Sequence, residues 1–252
     1  MVLLHPGVGL DGSVFLPGAK RLAATHKLYL VDLPGNGHSP DGNHDDWNLA
    51  GFARAVEQLA GELALEDWTL LGHSFGGYVA MAHLVAFPRA ASRLIASCTD
   101  ADEEPPAGVG DPFTDLPPGV EEAFEREETV QTPEECREVW LGQMPFFAVD
   151  VEAAATMLDD VVFQPEMHHP HDWGELHALE ALAETDKPVL AIAGEHDRPS
   201  PPPMAERIAS TAPHGELLVI RGVGHFPFAE APDRYWPRLI EWLRQTEPGS
   251  SG

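Results

Sequence analysis

Three residues, far apart in the chain, are of the types that could do chemistry together. Ser74 sits in Gly72-His73-Ser74-Phe75-Gly76-Gly77. A β-forming run, Trp68-Thr69-Leu70-Leu71, precedes it and a long apolar helical stretch follows. In that context Gly-x-Ser-x-Gly predicts a sharp strand-to-helix turn that lifts one serine off the end of a sheet. Gly72 and Gly76 lack a Cβ, so strand and helix can approach closely around it. The helix N-terminus behind Ser74 leaves N–H groups free beside a developing oxyanion. A serine is a weak nucleophile at neutral pH, so it needs a base, and the base needs an orienting group. Downstream, Glu195-His196-Asp197-Arg198 follows one strand-like run and Gly222-Val223-Gly224-His225-Phe226-Pro227 follows another. Both loops fall at carboxyl ends of predicted parallel strands, where sites on open α/β sheets are built. The order serine, acid, histidine makes Asp197 the acid and His225 the base, with Glu195 as the rival acid.

An acyl-transfer site also needs donors for the oxyanion. One is the N–H of Phe75, the residue after the nucleophile. The other should come from His5-Pro6-Gly7-Val8-Gly9, the loop after the first strand. Pro6 has no N–H. Gly7 is the first choice and Val8 the second. His5 reads as a prop that holds the loop by hydrogen bonding.

These residues need a scaffold, and the hydrophobic pattern supplies one. Short apolar runs at 2–5, 27–32, 67–71, 93–97, 188–193 and 216–220 read as strands. Helical patterns lie at 15–24, at 49–65 behind an Asn48 N-cap, at 78–87, at 203–210 and at 235–244. Phe52, Val56, Leu59 and Leu63 are expected on the inner face of the second helix, and Trp236, Leu239, Ile240 and Leu243 on that of the last. Strands alternating with helices imply a mostly parallel sheet of about six strands with helices on both faces. Lys27–Val31 should lie at an edge, covered by a local loop or helix or by a second chain. From 100 to 186 no strand is evident; prolines give way to acidic helical segments near 119–128, 133–142 and 150–160. The expected organisation is a core over 1–99 and 187–247, a helical lid over 100–186 and a disordered tail over 248–252.

The chain resembles the α/β-hydrolase superfamily over nearly its whole length. Four stretches carry the resemblance: His5-Pro6-Gly7-Val8-Gly9-Leu10-Asp11, Asp32-Leu33-Pro34-Gly35-Asn36-Gly37-His38-Ser39, the Ser74 motif and Gly224-His225-Phe226-Pro227. The resemblance implies the α/β-hydrolase fold and a Ser74–Asp197–His225 triad, and makes the Asp32 stretch a structural turn without a catalytic role. A serine nucleophile implies hydrolysis of esters, thioesters or amides. The first loop is similar to that of prolyl iminopeptidases, which read His-Gly-Gly-Pro-Gly. That likeness implies an aminopeptidase-like alternative to a general esterase. A binding module on a hydrolase fold is the alternative outside enzymes, and loss of a triad member would favour it; none is lost.

The 252-residue chain carries a formal net charge of −26, which argues against nucleic acid and anionic membranes as partners. Residues 100–186 hold 24 acidic and two basic residues, a net of −22, leaving −4 for all the rest. Concentration on one segment suggests attraction of a cationic small-molecule substrate, with Glu103, Glu104, Glu121 and Glu122 as candidate contacts. A solvated, solubilising face is the plainer alternative. No cofactor motif is read. His168-His169-Pro170-His171 invites a metal, but Pro170 breaks helical spacing and no cysteine accompanies it, so these histidines are read as part of a loop at the pocket mouth. Trp140, Phe146, Phe147, Met157 and Trp173 are candidates either for a pocket lining or for packing. The start shows no secretory pattern and Cys98 and Cys136 are read as free thiols, so a cytoplasmic location is expected, with a homodimer as one possibility.

Overall fold

Alternate residues of the apolar runs go to opposite sides of one sheet. The computed structural model describes residues 1–39 and 43–247, so the tail expected over 248–252 lies outside the described residues. Its strands are β1 (Val2–Leu4), β2 (Tyr29–Val31), β3 (Thr69–His73), β4 (Arg93–Ser97), β5 (Val189–Gly194) and β6 (Gly215–Ile220). They form a six-stranded sheet in the order β2-β1-β3-β4-β5-β6, parallel at each pairing. Leu3, Leu71, Ile95 and Leu190 enter one core layer, while Val2, Leu4, Leu70, Leu94 and Val189 enter the other. Burial on both faces is what makes these strands continuous apolar runs. Each fully buried leucine contributes roughly 1.5–3 kcal/mol.

The helices are α1 (Leu16–Ala19), α2 (Leu49–Glu62), α3 (Phe75–Ala86), α4 (Val120–Glu127), α5 (Pro133–Phe147), α6 (Val151–Ala155), α7 (Leu179–Glu184), α8 (Pro202–Thr211), α9 (Pro227–Glu230) and α10 (Pro232–Gln245). Residues of α5 and α10 enter the first core layer, and those of α2, α3, α7 and α8 the second. None is long and apolar enough to cross a membrane.

Asn48 caps α2 as expected, its side chain accepting the Gly51 N–H at 2.9 Å. The helix ends at Glu62, earlier than the sequence suggests, and Leu63 is 39% exposed instead of inward. Ala64 follows at a φ of +48°, which turns the chain away. The helix expected over 15–24 is broken into two 3₁₀ turns around the four-residue α1. Asp11 caps the first turn through the Ser13 N–H at 2.8 Å. Gly18, a poor helix former, lies directly beneath the Trp236 indole. β2 is an edge strand, as expected, and the turn Gly12–Phe15 lies against it: a Cβ on Gly12 would stand 2.9 Å from the Leu30 backbone.

Between β4 and β5 the chain forms α4 to α7, of which α7 has no counterpart in the sequence pattern. A capping box opens α5: Thr132 Oγ1 accepts the Glu135 N–H and Glu135 accepts the Thr132 N–H, each at 3.2 Å. Trp140 and Met144 of α5 are buried with the main core.

Candidate active site

β3 delivers Ser74 and α3 carries the chain away from it. Ser74 has a φ of +51° and ψ of −118°, a left-handed backbone held at a cost of about 1–3 kcal/mol. The surroundings enforce it. The Ser74 N–H donates to Ser97 at 2.9 Å, and its carbonyl accepts from Gly77 N–H and Thr99 Oγ1 at 2.8 and 2.9 Å. A Cβ on Gly76 would lie 2.6 Å from the His5 carbonyl oxygen, and one on Gly72 would collide with the Gly76 carbonyl. Both glycines are therefore required by close approach.

The loops after β5 and β6 bring the other two residues to Ser74. His225 Nε2 lies 2.8 Å from Ser74 Oγ, and His225 Nδ1 lies 2.9 and 3.0 Å from the two Asp197 oxygens. With Nδ1–H donating to Asp197, Nε2 is free to accept the Ser74 hydroxyl proton. His225 and Asp197 are buried at 2% and 3% exposure, while Ser74 is half-buried. Asp197 also accepts the Ser200 N–H at 2.9 Å. Glu195, the rival acid, turns elsewhere and accepts the Gly222 N–H at 2.8 Å.

His225 is held from two sides. Its N–H donates to the Phe147 carbonyl at 2.7 Å, and the Phe147 ring lies 5.5 Å from its imidazole. Glu230 accepts the N–H groups of Gly224 and Phe226 at 3.0 and 3.2 Å, and those of Val149 and Asp150 at 2.8 and 3.0 Å. One carboxylate thus ties the histidine loop to the chain between α5 and α6. Sequence reasoning missed Glu230, because nothing local marks a residue whose partners lie 80 residues away.

The first loop is propped as its histidine suggested. His5 Nε2 accepts the Leu33 N–H at 3.2 Å, which leaves Nδ1–H to donate to the Gly7 carbonyl at 3.2 Å. Burial pushes the His5 pKa down, and the neutral ring suits these two bonds. Asn36 accepts the Gly9 N–H at 2.7 Å, and Asp32 accepts the Gly12 and His38 N–H groups at 2.9 Å each. Gly7 has a φ of +61° under the Trp140 indole, 2.8 Å from where a Cβ would sit. Beside these residues, Ser97 Oγ pairs with His73 Nδ1 at 3.0 Å and accepts from the Tyr235 hydroxyl at 3.2 Å.

Two cavities reach the first loop and the start of α3. The larger, about 450 Å³, reaches Val8 and is lined by Phe113, Phe124, Glu127, Glu128 and the loop from Met167 to Trp173. The smaller, about 280 Å³, reaches Phe75 and Tyr78, with Asp102, Glu103 and Leu176 around it. Trp173 lines both. Of the acids singled out from sequence, Glu103 lines a cavity, and Glu104, Glu121 and Glu122 line neither of these two. Glu127 does, and its register was legible: Val120, Ala123 and Glu127 share the inner face of α4. Its carboxylate is held by His168 Nδ1 at 3.1 Å and by Gln143 at 2.6 Å.

The histidine run does not converge. His168 bonds Glu127, His169 pairs with the Val130 carbonyl and His171 with that of Glu166. Among the described residues, His73, Cys98 and His225 do approach within 4.8 Å of one another, but both nitrogens of His225 already have partners in Asp197 and Ser74. Trp140, Phe146 and Met157 are buried packing residues, whereas Phe147 lies against His225 and Trp173 lines both cavities.

Comparison with known proteins gives the family. A model of the alpha/beta hydrolase family matches residues 1–238. A pimeloyl-[acyl-carrier protein] methyl ester esterase of Xanthomonas campestris is 30% identical, covering 93% of this chain and 90% of the relative. The enzyme of the same description from Stenotrophomonas maltophilia is 29% identical, covering 100% and 95%. A thermophilic esterase from Thermogutta terrifontis superimposes with a TM-score of 0.75 at 25% identity, over 98% of this chain and 90% of its own. The chain therefore belongs to the alpha/beta hydrolase family and is a carboxylesterase-like hydrolase.

Proposed function

We propose that the protein cleaves small carboxylic esters through an acyl-enzyme on Ser74, with His225 as base and Asp197 as its orienting partner. The observation that carries this reading is the continuous run of hydrogen bonds from Asp197 through His225 to Ser74 Oγ. His225 takes the hydroxyl proton as Ser74 Oγ attacks the ester carbonyl, and the buried Asp197 stabilises the imidazolium that forms. The N–H groups of Phe75 and Gly7 receive the oxyanion, with Val8 as the second choice for the loop donor. His225 then passes its proton to the departing alkoxide, and water repeats the sequence on the acyl-enzyme. Residues 100–186 act as a lid over these steps. The same steps serve thioesters and amides.

Ser74→Ala should lower kcat on p-nitrophenyl esters by on the order of 10⁴ or more. A fluorophosphonate should label Ser74 in the wild-type protein. Near-normal turnover in the variant, or label on another serine, would overturn the mechanism.

A second reading concerns the substrate. Glu127 and Glu128 line the cavity at Val8, and Asp102 and Glu103 the one at Phe75, in a segment of net charge −22. This favours substrates bearing a free amine, including aminoacyl compounds from which an aminopeptidase-like enzyme releases an N-terminal residue.

A further inference from the structure

The smaller cavity holds a polar group that the proposed chemistry does not use. Tyr78 stands four residues after Ser74, in the first turns of α3, with its N–H donating to the Ser74 carbonyl at 3.2 Å. Its side chain lines the cavity together with Leu49, Phe75, Trp173 and Leu176. Among the described residues no group bonds the Tyr78 hydroxyl, and the side chain is half-buried, so the hydroxyl is open to a ligand in the cavity. It is a neutral hydrogen-bonding handle on a wall shared with four apolar side chains and two carboxylates, beside the residue whose N–H is assigned to the oxyanion. Such walls are how small-molecule sites fix orientation.

The surroundings restrict what the handle can hold. Asp102 and Glu103 stand at the same cavity, so an anionic group is repelled there. Burial and the nearby Asp100, Asp197 and Glu103 carboxylates push the Tyr78 pKa up to about 12, which keeps the hydroxyl a neutral donor. A neutral oxygen acceptor is the complementary partner.

We propose that this cavity is a substrate subsite in which the Tyr78 hydroxyl donates to a neutral oxygen (an ether, a ketone or a second ester) on the substituent of the scissile ester. The inference rests on ester cleavage at Ser74 and names the kind of substituent received beside it. The tetrahedral centre carries an acyl and an alkoxy arm that diverge, so one of the two is received there.

Tyr78→Phe removes only the hydroxyl and keeps the ring. The probes are two length-matched pairs: p-nitrophenyl methoxypropanoate against p-nitrophenyl pentanoate for the acyl arm, and methoxyethyl acetate against butyl acetate for the alcohol arm. In one pair, Tyr78→Phe should lower kcat/KM for the ether-bearing member by roughly two- to tenfold, the range of one neutral hydrogen bond, and leave the hydrocarbon member unchanged. The pair that responds identifies which arm occupies the cavity. No change in either pair, or equal losses for both members, would overturn the subsite, the latter pointing to a prop for the turn. Ser74→Ala run on the same four esters separates this outcome from failure of the underlying reading.

Discussion

The sheet and the segment between β4 and β5 are built from different residues and do different work. The sheet and its flanking helices carry a net charge near −4, bury apolar side chains on both faces and place Ser74, Asp197 and His225 at the ends of β3, β5 and β6. Residues 100–186 of the intervening segment carry −22, have no strand among those described and contribute walls: Glu127, Glu128, Phe113, Phe124 and Trp173. A chemical centre needs fixed distances, which a sheet supplies at its strand ends. A binding surface needs shape and charge, which short helices and loops can vary without disturbing that centre. The division is incomplete, because the Phe147 carbonyl and Glu230 bind the histidine loop to the inserted segment.

That join is the place where the contrast can be broken most sharply. Glu230→Ala strips the acceptor from four backbone N–H groups on both sides of it. If the segment helps to hold His225, kcat should fall by roughly 10–100-fold with a smaller change in KM. Glu230→Gln, which keeps one acceptor oxygen, should recover part of the loss. Unchanged kcat in Glu230→Ala would make the segment a passive cover.

A smaller effect separates the two regions by acidity. The sheet region keeps His5 and His73 buried, and burial is the first cause lowering both pKa values below the ordinary 6.5. Above 6.5 both rings are neutral folded and unfolded, so full stability is present. As pH falls through 6.5 the unfolded chain binds protons that the folded one refuses, and stability drops. At pH 5.5 the protein should therefore be less stable than at pH 7.5. Urea unfolding at pH 7.5 and 5.5 measures it, and His73→Asn should flatten the difference. A stability curve level from pH 7.5 to 5.5 would contradict the buried, neutral rings.

The smallest expected effect tests the charge of the inserted segment. Esters with a free amine should show a higher kcat/KM than N-acylated analogues of equal size. The advantage should shrink with added salt, since screening at physiological ionic strength limits reach to about 8 Å. Glu127→Gln should reduce it further than Glu121→Gln, because Glu127 lines the larger cavity and Glu121 does not. Equal rates at all salt concentrations would leave the acids as a solubility feature.

The sequence by itself determined the parallel sheet, the turn at Ser74 and the two loops that bring a carboxylate and a histidine to it. Each is written locally: apolar runs of strand length, glycines where backbones must touch, and loops at strand ends. It also placed the Asn48 cap, the edge position of β2 and the propping role of His5. Tertiary structure alone decided between Asp197 and Glu195, since two residues in one loop differ only in where their side chains are sent. It decided that Leu63 lies outside its helix and that Glu230 serves two distant segments. These outcomes depend on contacts between residues tens of positions apart, and local periodicity carries no record of which loop end another region will touch.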